Sequence, residues 1–197
     1  MNILIIYSHP GRKSYTFRVL KQLVNALQKE NHHVEISDLY DMNFQTDMTE
    51  QEYEREGFAK IDLPVSDDIA KEHEKIEQSD CIIFLYPVWW SDCPAKLKGW
   101  FDRVYSVGYA YGYDANGQKI QKMKKIKSGI VICTAGHSNE FLEETEIAES
   151  MRKVMLNDRL GERFDKKEMI ILGGTLYIEE VEEFHTDCLR KLVKQIR

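Results

Sequence analysis

Three short segments of this chain hold residue types that do chemistry. The first is Tyr7-Ser8-His9-Pro10-Gly11-Arg12-Lys13-Ser14-Tyr15-Thr16, where an apolar run gives way to a helical pattern and hydroxyls, a histidine and two cations crowd together. The free N–H groups and the dipole of a helix start favour an anion, and Ser14 and Thr16 can donate to phosphate oxygens. The spacing is neither a P-loop nor Gly-x-Gly-x-x-Gly, so a plain helix cap at Ser14 and a chain turn at Pro10-Gly11 account for it equally well. The second segment is Leu85-Tyr86-Pro87-Val88-Trp89-Trp90-Ser91-Asp92-Cys93-Pro94. Adjacent tryptophans at the end of an apolar run put π-surfaces and backbone amides where a planar ring can lie; the alternative is one core Trp and one covering the domain edge. Neighbouring residues leaving a strand point in opposite directions, so Trp89 is expected to face the ring and Trp90 to be at least partly structural. The third segment is Cys133-Thr134-Ala135-Gly136-His137-Ser138-Asn139, whose small residues allow close backbone approach while hydroxyls and His137 supply polar contacts. His137 is either a donor to the bound ring or an exposed loop residue.

These segments share one feature: each follows a short apolar run. Runs rich in Ile and Val occur at 3–7, 34–37, 81–86, 129–134 and 169–172, too unbroken for strands wet on one face, and read as buried parallel strands. Between them Phe17, Leu20, Val24 and Leu27 follow helical spacing, as do Leu97, Trp100, Phe101 and Val104, and Ile147, Met151, Val154 and Met155. Near the C-terminus Val181, Phe184, Cys188, Leu192 and Ile196 repeat the pattern. A β-α-β-α-β-α-β-α-β chain covers both faces of its sheet only as a doubly wound α/β fold with right-handed crossovers, expected strand order 2-1-3-4-5. In such a sheet ligands bind beyond the carboxyl ends of the strands, where the three segments fall. An anion site, an aromatic wall and a small polar turn at adjacent strand exits together make a site for a mononucleotide bearing a planar ring. Two stretches break the alternation: 41–67, with Glu50, Glu52, Glu54 and Glu56, and 105–127, with three glycines among aromatics. Loops this long in a compact domain are usually functional or part of an interface.

Composition narrows the class. The chain has 197 residues, 43% hydrophobic and 30% charged, an ordinary balance for one folded domain. A net charge of −6 argues against nucleic acid as the main partner. No apolar run approaches the roughly 20 residues that span a bilayer, and no basic region precedes the first run; a cytoplasmic protein without membrane insertion is expected. Cys81, Cys93, Cys133 and Cys188 lack metal or disulfide-scaffold spacing and read as reduced thiols, and no metal site is expected at His32-His33.

At the same three segments the chain resembles the flavodoxin-like NAD(P)H:quinone oxidoreductase family, which includes DT-diaphorase and the modulator-of-drug-activity proteins. The likeness rests on Ser8-His9-Pro10 and Ser14-Tyr15-Thr16, on Asp38-Leu39-Tyr40-Asp41-Met42-Asn43-Phe44, on Tyr86-Pro87-Val88-Trp89-Trp90 with Pro94-Ala95-Lys96-Leu97-Lys98-Gly99-Trp100-Phe101-Asp102-Arg103-Val104, on Gly108-Tyr109-Ala110-Tyr111-Gly112, and on Thr134-Ala135-Gly136. It implies a flavodoxin-like fold and a homodimer that passes hydride from NAD(P)H through a flavin to a quinone or similar acceptor in a ping-pong cycle. It implies that His9, Ser14, Tyr15 and Thr16 hold the flavin phosphate, and that Pro87, Val88, Trp89, Trp90, Thr134, Ala135, Gly136 and His137 meet the ring. Backbone N–H groups after Tyr86 would stabilise negative charge on the reduced ring, with His137 a further donor. Tyr109 and Tyr111 would wall the acceptor pocket or pack in a dimer interface. The tyrosine and histidine of the DT-diaphorase relay fall here on Phe141 and Ile147, so that relay is absent or rebuilt. The spacing from His9 to Ser14 and the excursion after Phe44 resemble the FAD-using branch, while the short chain resembles FMN-using members; FAD is the reading taken, FMN the alternative. The competing readings are a flavin-holding regulatory subunit of a membrane transporter and a flavodoxin-type electron carrier.

Overall fold

The computed structural model describes residues 1–114 and 116–196. Five strands, β1 (Asn2–Tyr7), β2 (His33–Asp38), β3 (Cys81–Pro87), β4 (Ile126–Thr134) and β5 (Phe164–Leu172), form one all-parallel sheet in the order β2-β1-β3-β4-β5. The chain reverses its direction of winding between β1 and β3, so the loops leaving these two strands diverge and open a crevice.

Strand alternation sorts the core into two layers. Ile3, Ile5 and Tyr7 of β1 face α1 (Tyr15–Lys29) and α7 (Ile178–Gln195), packing with Val19, Leu23, Leu189 and Leu192. Leu4 and Ile6 face α3 (Asp67–Gln78) and α4 (Ala95–Val104), among Ile76, Leu97, Trp100 and Phe84. Each such side chain contributes roughly 1.5–3 kcal/mol by leaving water. Trp100 is fully buried, and its indole N–H donates to Glu72 at 2.8 Å; that buried carboxylate also accepts from Ser37 at 2.9 Å and Lys75 at 2.6 Å. A buried charge so partnered escapes the penalty of an isolated one.

Several expectations are corrected. The runs at 34–37 and 169–172 belong to the two edge strands, and Lys166, Lys167 and Glu168 of β5 are exposed. Stretch 41–67 is not simply a loop: α2 (Glu50–Gly57) starts there with a capping box between Thr49 and Glu52. After the short α5 (Asn139–Glu144), the helix α6 (Ile147–Arg152) passes into a π-helical segment, Lys153–Leu160, whose wider turn takes Val154 out to solvent while Met155 stays buried. In α7 the buried face holds His185, Leu189, Leu192 and Val193, and Phe184 is exposed. His185 tolerates burial because its Nδ1 shares a 2.9 Å hydrogen bond with the Tyr15 hydroxyl. Stretches 41–67 and 105–127 pack on each other: Glu56 accepts from the Val107 N–H at 2.6 Å and from the Tyr111 hydroxyl at 3.2 Å.

Candidate cofactor and active site

The loops leaving β1, β3 and β4 meet beyond the carboxyl edge of the sheet. Thr16, in the first turn of α1, shares a buried 2.8 Å hydroxyl–hydroxyl hydrogen bond with Thr134 at the end of β4. The His9 ring lies 6.2 Å from that of Trp89. Val88 N–H donates to Thr134 O at 2.8 Å, tying the β3 exit to β4. The three sequence segments are thereby brought into one site.

Helix α1 begins at Ser14, whose hydroxyl accepts from Phe17 N–H at 3.1 Å and donates to Gly11 O at 2.8 Å. The capping reading of Ser14 therefore holds, and the expectation that its hydroxyl donates to a phosphate is corrected: the proton is committed to Gly11 O. Among the described residues the N–H groups of Tyr15 and Thr16 have no backbone partner, as expected for a first helical turn. Gly11 N–H donates to His9 Nδ1 at 2.8 Å, which leaves the proton of the neutral ring on Nε2, a free donor. Burial lowers the His9 pKa, favouring that neutral form. The Ser8 hydroxyl is buried with no partner among the described residues, an orphan donor that ligand oxygens can satisfy. Tyr15 differs from expectation: its hydroxyl is engaged by His185, and burial pushes its pKa up to about 12. Only its backbone is available to an anion. Arg12 is committed to Asp38 and Asp41 at the exit of β2.

The aromatic segment forms a tight reverse turn. Trp89 N–H donates to Asp92 O at 3.0 Å and Asp92 N–H to Trp89 O at 3.1 Å, while Trp90 and Ser91 have φ of 48° and 61°. Trp89 is partly exposed and Trp90 is 101% exposed. The expectation of a structural Trp90 is overturned, because the chain has left extended geometry and strand alternation no longer governs where the rings point. Of the amides after Tyr86, those of Val88 and Trp89 are taken within the chain; that of Trp90 has no backbone partner among the described residues.

At the β4 exit, Ala135 is buried and its N–H donates to Leu172 O at 3.0 Å, whereas the N–H groups of Gly136 and His137 have no backbone partner there. A Cβ on Gly136 would sit 3.4 Å from Leu176. His137 is exposed and stacks on Phe141 at 4.3 Å. The acceptor-wall reading of Tyr109 is corrected: it is buried, stacked on His73 at 3.5 Å, with its hydroxyl donating to Glu77 at 2.9 Å. Tyr111 is half-exposed and lines a cavity of about 520 Å³ with Phe101, Tyr105, Arg159 and Arg163.

Sequence reasoning missed Arg159. Its guanidinium makes a two-pronged ion pair with Asp92 at 2.8 and 2.9 Å, reaching the aromatic turn from the π-helical segment. Burial acts to raise the Asp92 pKa, and the Arg159 hydrogen bonds override it and hold the carboxyl below its ordinary range. No local signal marks this contact, which joins residues 67 positions apart.

A family profile described as a flavodoxin-like fold matches residues 1–194. The chain is similar to the solved NAD(P)H:quinone oxidoreductase from Methanothermobacter marburgensis, with 42% identity and a TM-score of 0.93 over 100% of this chain and 99% of that one. It is 33% identical over 158 residues to an NAD(P)H oxidoreductase of Haemophilus influenzae, covering 80% of this chain and 75% of that protein. It is 37% identical over 151 residues to NAD(P)H dehydrogenase (quinone) 1 of Rattus norvegicus, covering 70% of this chain and 55% of that one. The chain thus spans about half the length of the rat relative. Among the described residues no helix is long and apolar enough to cross a membrane.

Proposed function

The chain belongs to the flavodoxin-like fold family, and from that premise we propose that it is a flavin-dependent NAD(P)H:quinone-type oxidoreductase that works as a cytoplasmic homodimer. The observation that carries this reading is the convergence of an anion-ready helix start, an exposed aromatic turn and a small-residue turn, tied together by Thr16–Thr134 and His9–Trp89. A flavin there would supply the hydride chemistry, taking two electrons from NAD(P)H and giving them to a quinone. The protein's part is to bind, orient and neutralise charge. Tyr15 and Thr16 N–H, with His9 Nε2–H, would hold the phosphate at the positive end of α1. Among the described residues the Trp90, Gly136 and His137 amides have no backbone partner, and they would serve as fixed donors to a bound flavin ring. Thr134 and Ala135 fix the β4 exit, Thr134 through Thr16 and Val88 and Ala135 through Leu172, and would set its distance from a bound ring. Acceptor and NAD(P)H use one open slot in turn, beside Trp89 and Trp90.

FAD is the flavin proposed. From the phosphate loop a file of rings leads outward, Tyr15 to His185 at 5.7 Å and His185 to Phe184 at 6.1 Å, ending in the exposed Phe184. Such a surface suits an adenine. Free, mostly buried cysteines fit a reducing compartment. The test is spectroscopic: purified protein should carry or take up a flavin whose absorption near about 450 nm is bleached by NADH or NADPH and restored by a quinone. Chromatography of the released flavin separates FAD from FMN. Protein that binds neither ends the reading.

A further inference from the structure

The Trp89–Asp92 turn is held in a conformation its residues do not favour. Trp90 and Ser91 both lie in the left-handed region, at φ 48° and 61°, which L side chains disfavour and which hairpin turns of this shape usually fill with Asn-Gly. Two reciprocal backbone bonds close the turn, and Asp92 Oδ1 also accepts from Cys93 N–H at 2.7 Å. Nothing within the turn packs Trp90, which is wholly exposed. The restraint comes from across the chain. Arg159 is 8% exposed, lies over the Phe101 ring at 5.4 Å, and aims both terminal nitrogens at the two Asp92 oxygens. Its Nη1 also contacts Cys93 Sγ at 3.3 Å and Met155 Sδ at 3.1 Å. The guanidinium therefore cannot swing away without leaving a buried charge unpaired, and a planar fork on a carboxylate fixes orientation as well as distance.

We propose that Arg159 is a positioning residue: by clamping Asp92 it holds the left-handed turn that presents Trp90, its free N–H and the Trp89 ring to the cofactor. The inference rests on the flavin reading of this site, and it adds a second consequence. The clamp sets the ring end of the site and reaches the phosphate end, built mainly by α1, only through the His9 ring beside Trp89.

Arg159→Met tests it with little harm to the fold, because Phe101, Cys93 and Met155 give the new side chain an apolar bed and Asp92, half exposed, is left facing water. Asp92→Asn breaks the same pair from its exposed end, and Arg159→Lys keeps the charge but loses the fork. The full chain is labelled with 5-fluorotryptophan, its three tryptophans assigned through Trp→Phe variants, and fluorine spectra are recorded without flavin. Arg159→Met and Asp92→Asn should shift or broaden the Trp89 and Trp90 resonances and leave that of buried Trp100 in place, with Arg159→Lys intermediate. Dissociation constants for FMN and for riboflavin, which lacks the phosphate, should both rise about tenfold in Arg159→Met. Unmoved Trp89 and Trp90 resonances overturn the clamp; so does a loss confined to FMN, which would place Arg159 at the phosphate end. If the unmodified protein binds neither flavin, the reading of the site falls, while the fluorine spectra still decide whether Arg159 holds the turn.

Discussion

Ser14 shows how one hydroxyl can be wholly occupied by structure and still lie at the centre of a binding site. Its oxygen caps Phe17 N–H and its proton goes to Gly11 O, so removing it harms the helix as well as the loop. Aspartate separates the two roles. It is as good an N-cap as serine and its charge suits the positive end of α1, but a carboxylate cannot donate to Gly11 O, so Ser14→Asp should lower the thermal midpoint less than Ser14→Ala does. The same charge opposes a phosphate bound at the Tyr15 and Thr16 amides. FMN affinity should fall by on the order of tenfold or more, and riboflavin affinity should stay within about twofold. Titration of both ligands by flavin fluorescence quenching checks this, and an equal loss for the two would move the phosphate elsewhere.

At the scale of elements, the strands and the helices facing them were legible because apolar periodicity is a local property and tracks burial, as at Leu97, Trp100, Phe101 and Val104, all buried. What was illegible depended on partners distant in sequence. Phe184 fits an apolar stripe better than His185, yet His185 is inside, because a hydroxyl from α1 satisfies it. Tyr109 sits in an aromatic loop suited to a ligand, yet Glu77 and His73 of α3 claim it. The site's three segments were legible as strand exits; the Trp89–Asp92 turn and Arg159 were not, since a left-handed turn and a contact from the π-helical segment leave no periodic trace. Helix α2 was within reach, through Thr49-Glu50-Gln51-Glu52, a capping box of the form Thr-x-x-Glu. Its place against α4 depends on Arg103, buried, which donates to Glu52 at 2.6 Å, Asp68 at 2.6 Å and Gln45 O at 2.7 Å. Arg103→Ala should cost about 2–3 kcal/mol, between the values for exposed and fully buried pairs. The loss should be local first: hydrogen exchange would speed up across Glu50–Gly57 well before β1 and β3. Uniform acceleration through the sheet would show that α2 is not a separately anchored unit.

For the whole molecule, two consequences follow from what is buried and what is not. Burial lowers the pKa of His9, His73 and His185 below the ordinary 6.5. As pH falls through that value the unfolded chain takes up protons that the folded chain refuses, so stability declines from about pH 7 toward the depressed folded values and is level above it. Urea midpoints between about pH 7.5 and 5.5 should fall, and His73→Gln should flatten the curve. The second consequence concerns apolar surface left exposed. Tyr53 and Phe58 of the α2 region, 59% and 64% exposed, pack edge to face at 6.0 Å; Glu56 between them holds Tyr111, and Tyr113, 71% exposed, lies two residues on. Four aromatics displayed by two stretches that already pack together make the kind of patch a monomer seldom leaves open, and a second copy of the chain would cover it. Phe58→Asp puts a charge into that contact while losing little inside one chain, so the sedimenting mass should fall from twice the chain mass to one. Phe184→Asp is the control from the opposite layer: the dimer should persist and FAD, but not FMN, should bind less tightly. A wild-type protein that sediments at one chain mass at every concentration would refute the homodimer, whereas a Phe58→Asp protein still dimeric would keep it and place the interface on another face.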